Sequence, residues 1–348
     1  MNVQDYLPKR VNEGTWVTAY TWHALREQDV AEFVLPIASL GTPYEQYVGL
    51  GDHLLPPLFH EAFDDDDNFK HAIVDRICEC FPIFGGDNHR RIRVVELPDR
   101  TPTPSAPGNV IAFSVDTAVE EHGPHLPLGT DTIQSYAVLN AITSEFDSLE
   151  LCHPVDYGQL TWGLPFGFSV DLTAELLTRY VANFVQAHVR WKQPSAVYVV
   201  DVHGSLVHRK AIVAGLKECQ ARWSFRWLHE PLAQFASQRG DQHAGGVETA
   251  LIEHIDPSLL DSRWWPDRIN ELAKEQLEFS KAVELTPDLV EFSRYVRKRS
   301  RNGIVGDILN YHHLRASELF SLMTDVARSD VAALLAGTSM HQAGAELW

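Results

Sequence analysis

The segment that most constrains this chain is Val110-Ile111-Ala112-Phe113-Ser114-Val115, an apolar run that reads as a buried strand. It is followed closely by Glu120-Glu121-His122-Gly123-Pro124-His125-Leu126-Pro127-Leu128-Gly129-Thr130-Asp131. The glycines and prolines of the second stretch hold the backbone in a turn that neither helix nor strand could make. Its carboxylates and imidazoles are the ligand types that suit zinc, manganese and iron. A Glu-x-His pair alone also arises in any polar turn. The whole dozen, delivered at the end of a strand, reads as a metal site.

A second strand shows the same arrangement. Ser195-Ala196-Val197-Tyr198-Val199-Val200 is nearly all apolar, as a strand buried on both faces should be, and it ends in Asp201-Val202-His203-Gly204-Ser205. Helical spacing of apolar residues predicts helices over 132–146, 173–191 and 211–223, with a third strand over 224–229. The order strand, functional turn, helix builds parallel sheets, which place ligands outside the carboxyl ends of their strands. The expected fold is therefore α/β, a three-layer α/β/α sandwich around a mostly parallel sheet.

The dozen residues from Glu120 to Asp131 resemble the signature of the creatininase (creatinine amidohydrolase) family, Glu-x-His-Gly-Pro-His-Leu-Pro followed by an Asp. In that family the Glu, the His two residues on and the Asp are metal ligands, and the Asp bridges two ions. The resemblance implies those roles for Glu120, His122 and Asp131. The stretch around His203 is similar to the family's Asn-Gly-His-Gly-Gly-Asn, whose His is a ligand. A Glu that follows two residues later in creatininase is Ser205 here. Gln242-His243-Ala244-Gly245-Gly246-Val247-Glu248-Thr249 resembles the family's His-Ala-Gly-x-x-Glu-Thr, and Gly303 to Asp307 its closing Gly-x-x-Gly-Asp. The likeness spans about residues 105 to 335.

Five ligands (Glu120, His122, Asp131, His203 and Glu248) exceed one tetrahedral zinc but suit two divalent ions, zinc, manganese or iron, about 3.5–4 Å apart and sharing a carboxylate. Such ions ionise a bound water near neutral pH and polarise a carbonyl. His243, with an imidazole pKa near 6.5, is suited to carry a proton to the leaving nitrogen. Glu121, His125, Ser205 and His208 stand near enough in sequence to orient ligands. The aromatic loop with Trp162, Phe166 and Phe168 is expected to wall the pocket. The function these residues imply is a binuclear amidohydrolase cleaving a cyclic amide or formamide C–N bond in a small molecule by a metal-bound hydroxide. The alternatives are metal-dependent cleavage of a carbon–carbon bond in a cyclic diketone, such as a diketo-cyclitol, and an inactive binding protein.

Residues 1–104 read as an N-terminal extension and 105–348 as the hydrolase domain, with Pro-rich 98–108 as linker. Within the extension, Phe33 to Ser39 is a strand candidate and 68–81 a helix. The passage from Trp22 to His53 resembles a degenerate copy of the family's opening segment, without its ligands in place. Residues 267–300 look helical and charged. Asp64 to Asp67 reads as a solvated loop or helix start.

Composition closes off other classes. The net charge is −18, from 29 Lys plus Arg against 47 Asp plus Glu, which argues against nucleic acid or an anionic membrane as partner. The four cysteines lack disulfide density and zinc-ribbon spacing, and no apolar segment reaches the roughly 18 residues of a membrane helix. A cytoplasmic protein is expected. The resemblance implies a homo-oligomer, commonly a hexamer.

Overall fold

The computed structural model describes residues 15–80, 91–100, 109–160, 163–235, 241–278, 302–338 and 342–343, with 280, 294–295 and 298–299 as short pieces. Trp162, most of the expected linker and most of the charged segment beyond 278 lie outside the described residues.

The described residues hold two parallel sheets. The first has the order β2-β1-β3, from β1 (Glu32–Ala38), β2 (Leu58–Phe59) and β3 (Arg91–Glu96). The second has the order β5-β4-β6-β7-β8, from β4 (Val110–Ser114), β5 (Leu149–Leu151), β6 (Ala196–Asp201), β7 (Trp223–Trp227) and β8 (Gln342–Ala343). Every pairing between these strands is parallel.

Strand alternation divides the apolar side chains between two helical layers. Ile111, Phe113, Val115, Val197 and Val199 share a core with α4 (Ala174–Lys192) and α5 (Leu206–Lys217). Val110, Ala112, Tyr198 and Val200 share the opposite core with α3 (Thr130–Thr143), α6 (Gly246–Ile255) and α8 (Ala316–Leu335). The result is the expected sandwich. The layer opposite α4 and α5 is locked to the sheet by a buried ion pair: Arg226 of β7 donates twice to Asp330 of α8, at 2.6 and 2.7 Å, and Tyr198 donates to the same carboxylate at 3.2 Å.

The first sheet packs into the same apolar core as the second. Phe33, Phe59 and Phe63 belong to the same core as Phe113 and Phe184, and Phe59 lies 5.8 Å from Phe184 between ring centroids. Tyr157 donates to the carbonyl of Pro56 at 2.6 Å. The remaining short helices are α1 (Trp22–Glu27), α2 (Asp67–Cys80) and α7 (Ile269–Glu275). Arg76 of α2 donates to the Asp171 carbonyl at 2.6 Å, tying that helix to the strap in front of α4.

Two expected boundaries move. The helix after His203 was expected over 211–223 but runs over Leu206–Lys217, because Ser205 caps it by accepting from the His208 amide at 3.4 Å. Trp223, expected to end that helix, starts β7, one residue before the expected strand. Of the helix expected over 267–300, the described residues hold α7 and helical residues at 280, 294–295 and 298–299. No described helix is long and apolar enough to cross a membrane.

Candidate metal centre

The carboxyl ends of β4 and β6 open on one rim of the second sheet, and the sequence candidates meet there. From β4 the chain passes through Asp116 and Thr117 to Glu120 and His122. The turn then enters α3, whose first turn carries Asp131. From β6 comes His203, and from the start of α6 come His243 and Glu248.

Three groups of side chains could each hold a cation, with ligand atoms within 4.8 Å of one another: Glu120, Asp131 and His203; His122, Asp131 and Glu248; and Glu120, His122 and His243. The first two groups contain all five expected ligands and share Asp131. Asp131 Oδ1 lies 3.2 Å from His122 Nε2, and Oδ2 lies 3.4 Å from His203 Nδ1. Glu120 Oε2 is 2.9 Å from the same His203 nitrogen, and Glu248 Oε1 is 3.9 Å from His122 Nε2.

What these atoms present to each other decides the chemistry. Each imidazole has its outer N–H engaged with a backbone carbonyl: His122 Nδ1 with Glu120 O at 3.1 Å, His203 Nε2 with Gln159 O at 3.1 Å, and His243 Nε2 with Glu121 O at 2.8 Å. With the outer N–H groups so committed, the inward nitrogens face carboxylate oxygens, ready to offer a lone pair to a cation or, without one, to carry a proton. The Thr117 hydroxyl touches both Glu120 Oε2 and Asp131 Oδ2 but has one proton for the two. Glu120 Oε1 is fully buried with no hydrogen-bond partner. Buried carboxylates converging with imidazole nitrogens call for positive charge, which a cation would supply and which, without one, only protons on the imidazoles supply; burial makes that deficit costly.

The titration behaviour reflects that deficit. Burial opposes a charge on His122, yet the adjoining Asp131 pushes it up to about 10. Against burial, His122 and His203 together hold Asp131 well below the usual carboxylate range. Burial pushes Glu248 up to about 8. His243 is held well below its ordinary value by burial and by the charge of His122, so its ring is neutral.

The expected orienting residues each make a definite bond. His125 donates to Thr249 at 2.8 Å, linking the turn to α6 beside Glu248. Glu121 accepts from the Gly123 amide at 3.1 Å, its own amide donates to Ser169 at 3.0 Å, and burial raises its carboxyl well above the usual range. Ser205 donates to Gln159 Oε1 at 3.0 Å while capping α5. Phe166 and Phe168 are buried in the aromatic loop, and Phe168 meets Phe33 edge-on at 6.0 Å between centroids. Thr117, Asp116 and Gln159 went unremarked in the sequence. Asp116 accepts from the Val202 amide at 2.8 Å and joins the β4 and β6 ends beneath the centre. Two polar residues directly after an apolar strand were the available signal for Asp116 and Thr117. Gln159 meets His203 through its backbone carbonyl, which leaves none.

The turn is also clasped from outside. The Leu128 amide donates to Tyr20 O at 2.8 Å and the Gly129 amide to Thr18 O at 3.0 Å. A Cβ on Gly129 would lie 2.9 Å from Thr18, so the approach requires glycine.

A family model described as creatinine amidohydrolase (Creatininase) matches residues 108–329. A mycofactocin precursor peptide peptidase of Mycobacterium tuberculosis is 28% identical over 190 residues, covering 51% of this chain and 71% of that protein. One from Mycobacterium ulcerans is 27% identical over 228 residues, covering 62% and 82%. A crystal structure of creatinine amidohydrolase (creatininase) superposes with a TM-score of 0.48 at 14% identity, covering 65% of this chain and 90% of that one.

Proposed function

We propose that this chain, which belongs to the creatininase family, is a metal-dependent amidohydrolase that cleaves a carbonyl C–N bond with two divalent cations held on a shared carboxylate. The observation that carries the reading is the convergence of buried carboxylates and imidazoles in two ligand groups with Asp131 in common. Glu120, Asp131 and His203 would hold one ion, and His122, Asp131 and Glu248 the other. Zinc, manganese and iron all suit this set of carboxylate and imidazole ligands. When bound, such ions supply a nucleophile at neutral pH and polarise the carbonyl under attack.

His243 serves as the proton carrier. Its Nε2–H is committed to Glu121 O, and its Nδ1 faces the centre 3.5 Å from Glu120 Oε1. A neutral ring in that orientation takes a proton at Nδ1 and returns it to the leaving nitrogen. Burial of the surrounding residues excludes bulk water, so the carboxylates and imidazoles act at their full electrostatic strength.

A small cyclic amide or a formamide fits this chemistry. A peptide bond is a second reading, favoured by relatives named as peptide peptidases. Hydrolysis assays on creatinine and other cyclic amides, formamides, short peptides and cyclic diketones, with Glu120→Gln as blank, test the proposal. Turnover of an amide by the wild type alone supports it. Turnover of cyclic diketones only would move the assignment to C–C cleavage, and metal-loaded protein inert on all four would favour a binding protein.

A further inference from the structure

His203 can present Nδ1 to a cation only while its other nitrogen is held, and the holder is the carbonyl of Gln159, 3.1 Å from Nε2. Gln159 lies in a stretch without helix or strand between Val155 and Leu160, so its position needs its own explanation. The explanation is the ring of His208. The Gln159 amide donates to His208 Nδ1 at 3.1 Å, and His208 Nε2 donates to Val115 O at 2.9 Å, just past the end of β4. Because Nδ1 must accept, the ring is the neutral Nε2–H tautomer, matched on both sides.

The loop lies close against the edge of this ring. A Cβ at Gly158 would come within 2.5 Å of His208 Cε1 and 2.6 Å of Thr117 Cγ2, so only glycine permits the approach. His208 is fully buried and its ring meets that of His203 edge-on, with centroids 5.1 Å apart. A continuous chain therefore runs from the β4 end through His208 and the Gln159 peptide to His203, and it ends at Glu120 and Asp131.

We propose that His208 is a positioning residue of the metal centre: by holding the Gln159 carbonyl against His203, it fixes which nitrogen of His203 faces the cation and in what direction. The inference rests on the reading of His203 as a metal ligand, and its test separates the two.

Full-length wild type, His203→Ala, His208→Leu, His208→Gln, Thr117→Ser and Thr117→Ser with Gly158→Ala are freed of metal with chelator and titrated with zinc by calorimetry. Unfolding of the metal-free proteins is followed in parallel. Loss of an outer hydrogen-bond partner weakens a metal site about 10–100-fold. His208→Leu is expected to weaken one zinc site by that factor. His208→Gln, whose amide can accept from Gln159 and donate to Val115, should recover most of the affinity. Gly158→Ala, made with Thr117→Ser so that its Cβ meets the His208 ring but no Thr117 methyl, should weaken the same site relative to Thr117→Ser alone and decides the matter if His208→Leu does not fold. Unchanged zinc affinity in folded His208→Leu, or in the Gly158→Ala double variant relative to Thr117→Ser, with only a lowered unfolding temperature, would overturn the inference. Wild-type zinc binding in His203→Ala would instead overturn the ligand reading beneath it.

Discussion

Asp131 Oδ2 lies 3.4 Å from His203 Nδ1, although one residue sits in the first turn of the helix that follows β4 and the other lies two residues past β6. The segments that leave two neighbouring parallel strands thus meet at a common point. Asp131 is also the member shared by the two groups that contain the five expected ligands. Asp131→Asn is therefore expected to empty both positions, whereas His203→Ala should empty one. Elemental analysis of protein purified without chelator should read about two, zero and one equivalents for wild type, Asp131→Asn and His203→Ala respectively.

His243 holds its Nε2–H on a backbone carbonyl and faces the centre with Nδ1. His243→Gln is expected to lower kcat by roughly 10²–10⁴ while leaving the metal content at the wild-type value. Stopped assays together with metal analysis on the same preparation check this. A parallel loss of metal would make the residue a ligand instead.

His188 of α4 is buried between Phe113 and Phe184, with ring centroids 6.0 and 4.4 Å away, and burial pushes its pKa down to about 4. Its folded value lies below the unfolded one, near 6.5, so the unfolded chain takes up the proton first. The stability gained by keeping the ring neutral is complete above pH 6.5 and is lost as pH falls toward 4, by about 3 kcal/mol in all. His188→Phe should remove that part of the acid sensitivity. Urea unfolding at pH 7 and pH 5 should show a smaller drop in the variant than in the wild type.

Arg226 and Asp330 form a two-point ion pair between β7 and α8 with little exposure on either side. Asp330→Ala leaves the guanidinium with Glu230 as a partial substitute. The expected cost is about 3 kcal/mol of stability, with metal content unchanged in the folded fraction, read by denaturant unfolding.

How much of this was legible in the sequence follows from where the information sits. Strands β4 and β6 declared themselves by unbroken apolar runs between turn residues, and the order of turn and helix after each predicted a parallel sheet. The five candidate ligands were visible because their positions are set by side-chain type within short motifs. The start of α5 was missed because its first turn, Leu206-Val207-His208-Arg209, mixes apolar and basic residues, and the cap at Ser205 was read as a possible orienting group alone. The first sheet was only partly legible: β2 has two residues, and β3 exposes most of its side chains and lacks a one-sided apolar pattern. Gln159 could not be found at all, since a backbone carbonyl carries no sequence signal.

The most direct measurement is an anomalous difference map from crystals of the protein loaded with zinc or manganese. Two peaks about 3.5–4 Å apart on either side of the Asp131 carboxylate are expected, one beside Glu120 and His203 and the other beside His122 and Glu248. No peak within coordination distance of Asp131 would contradict the account.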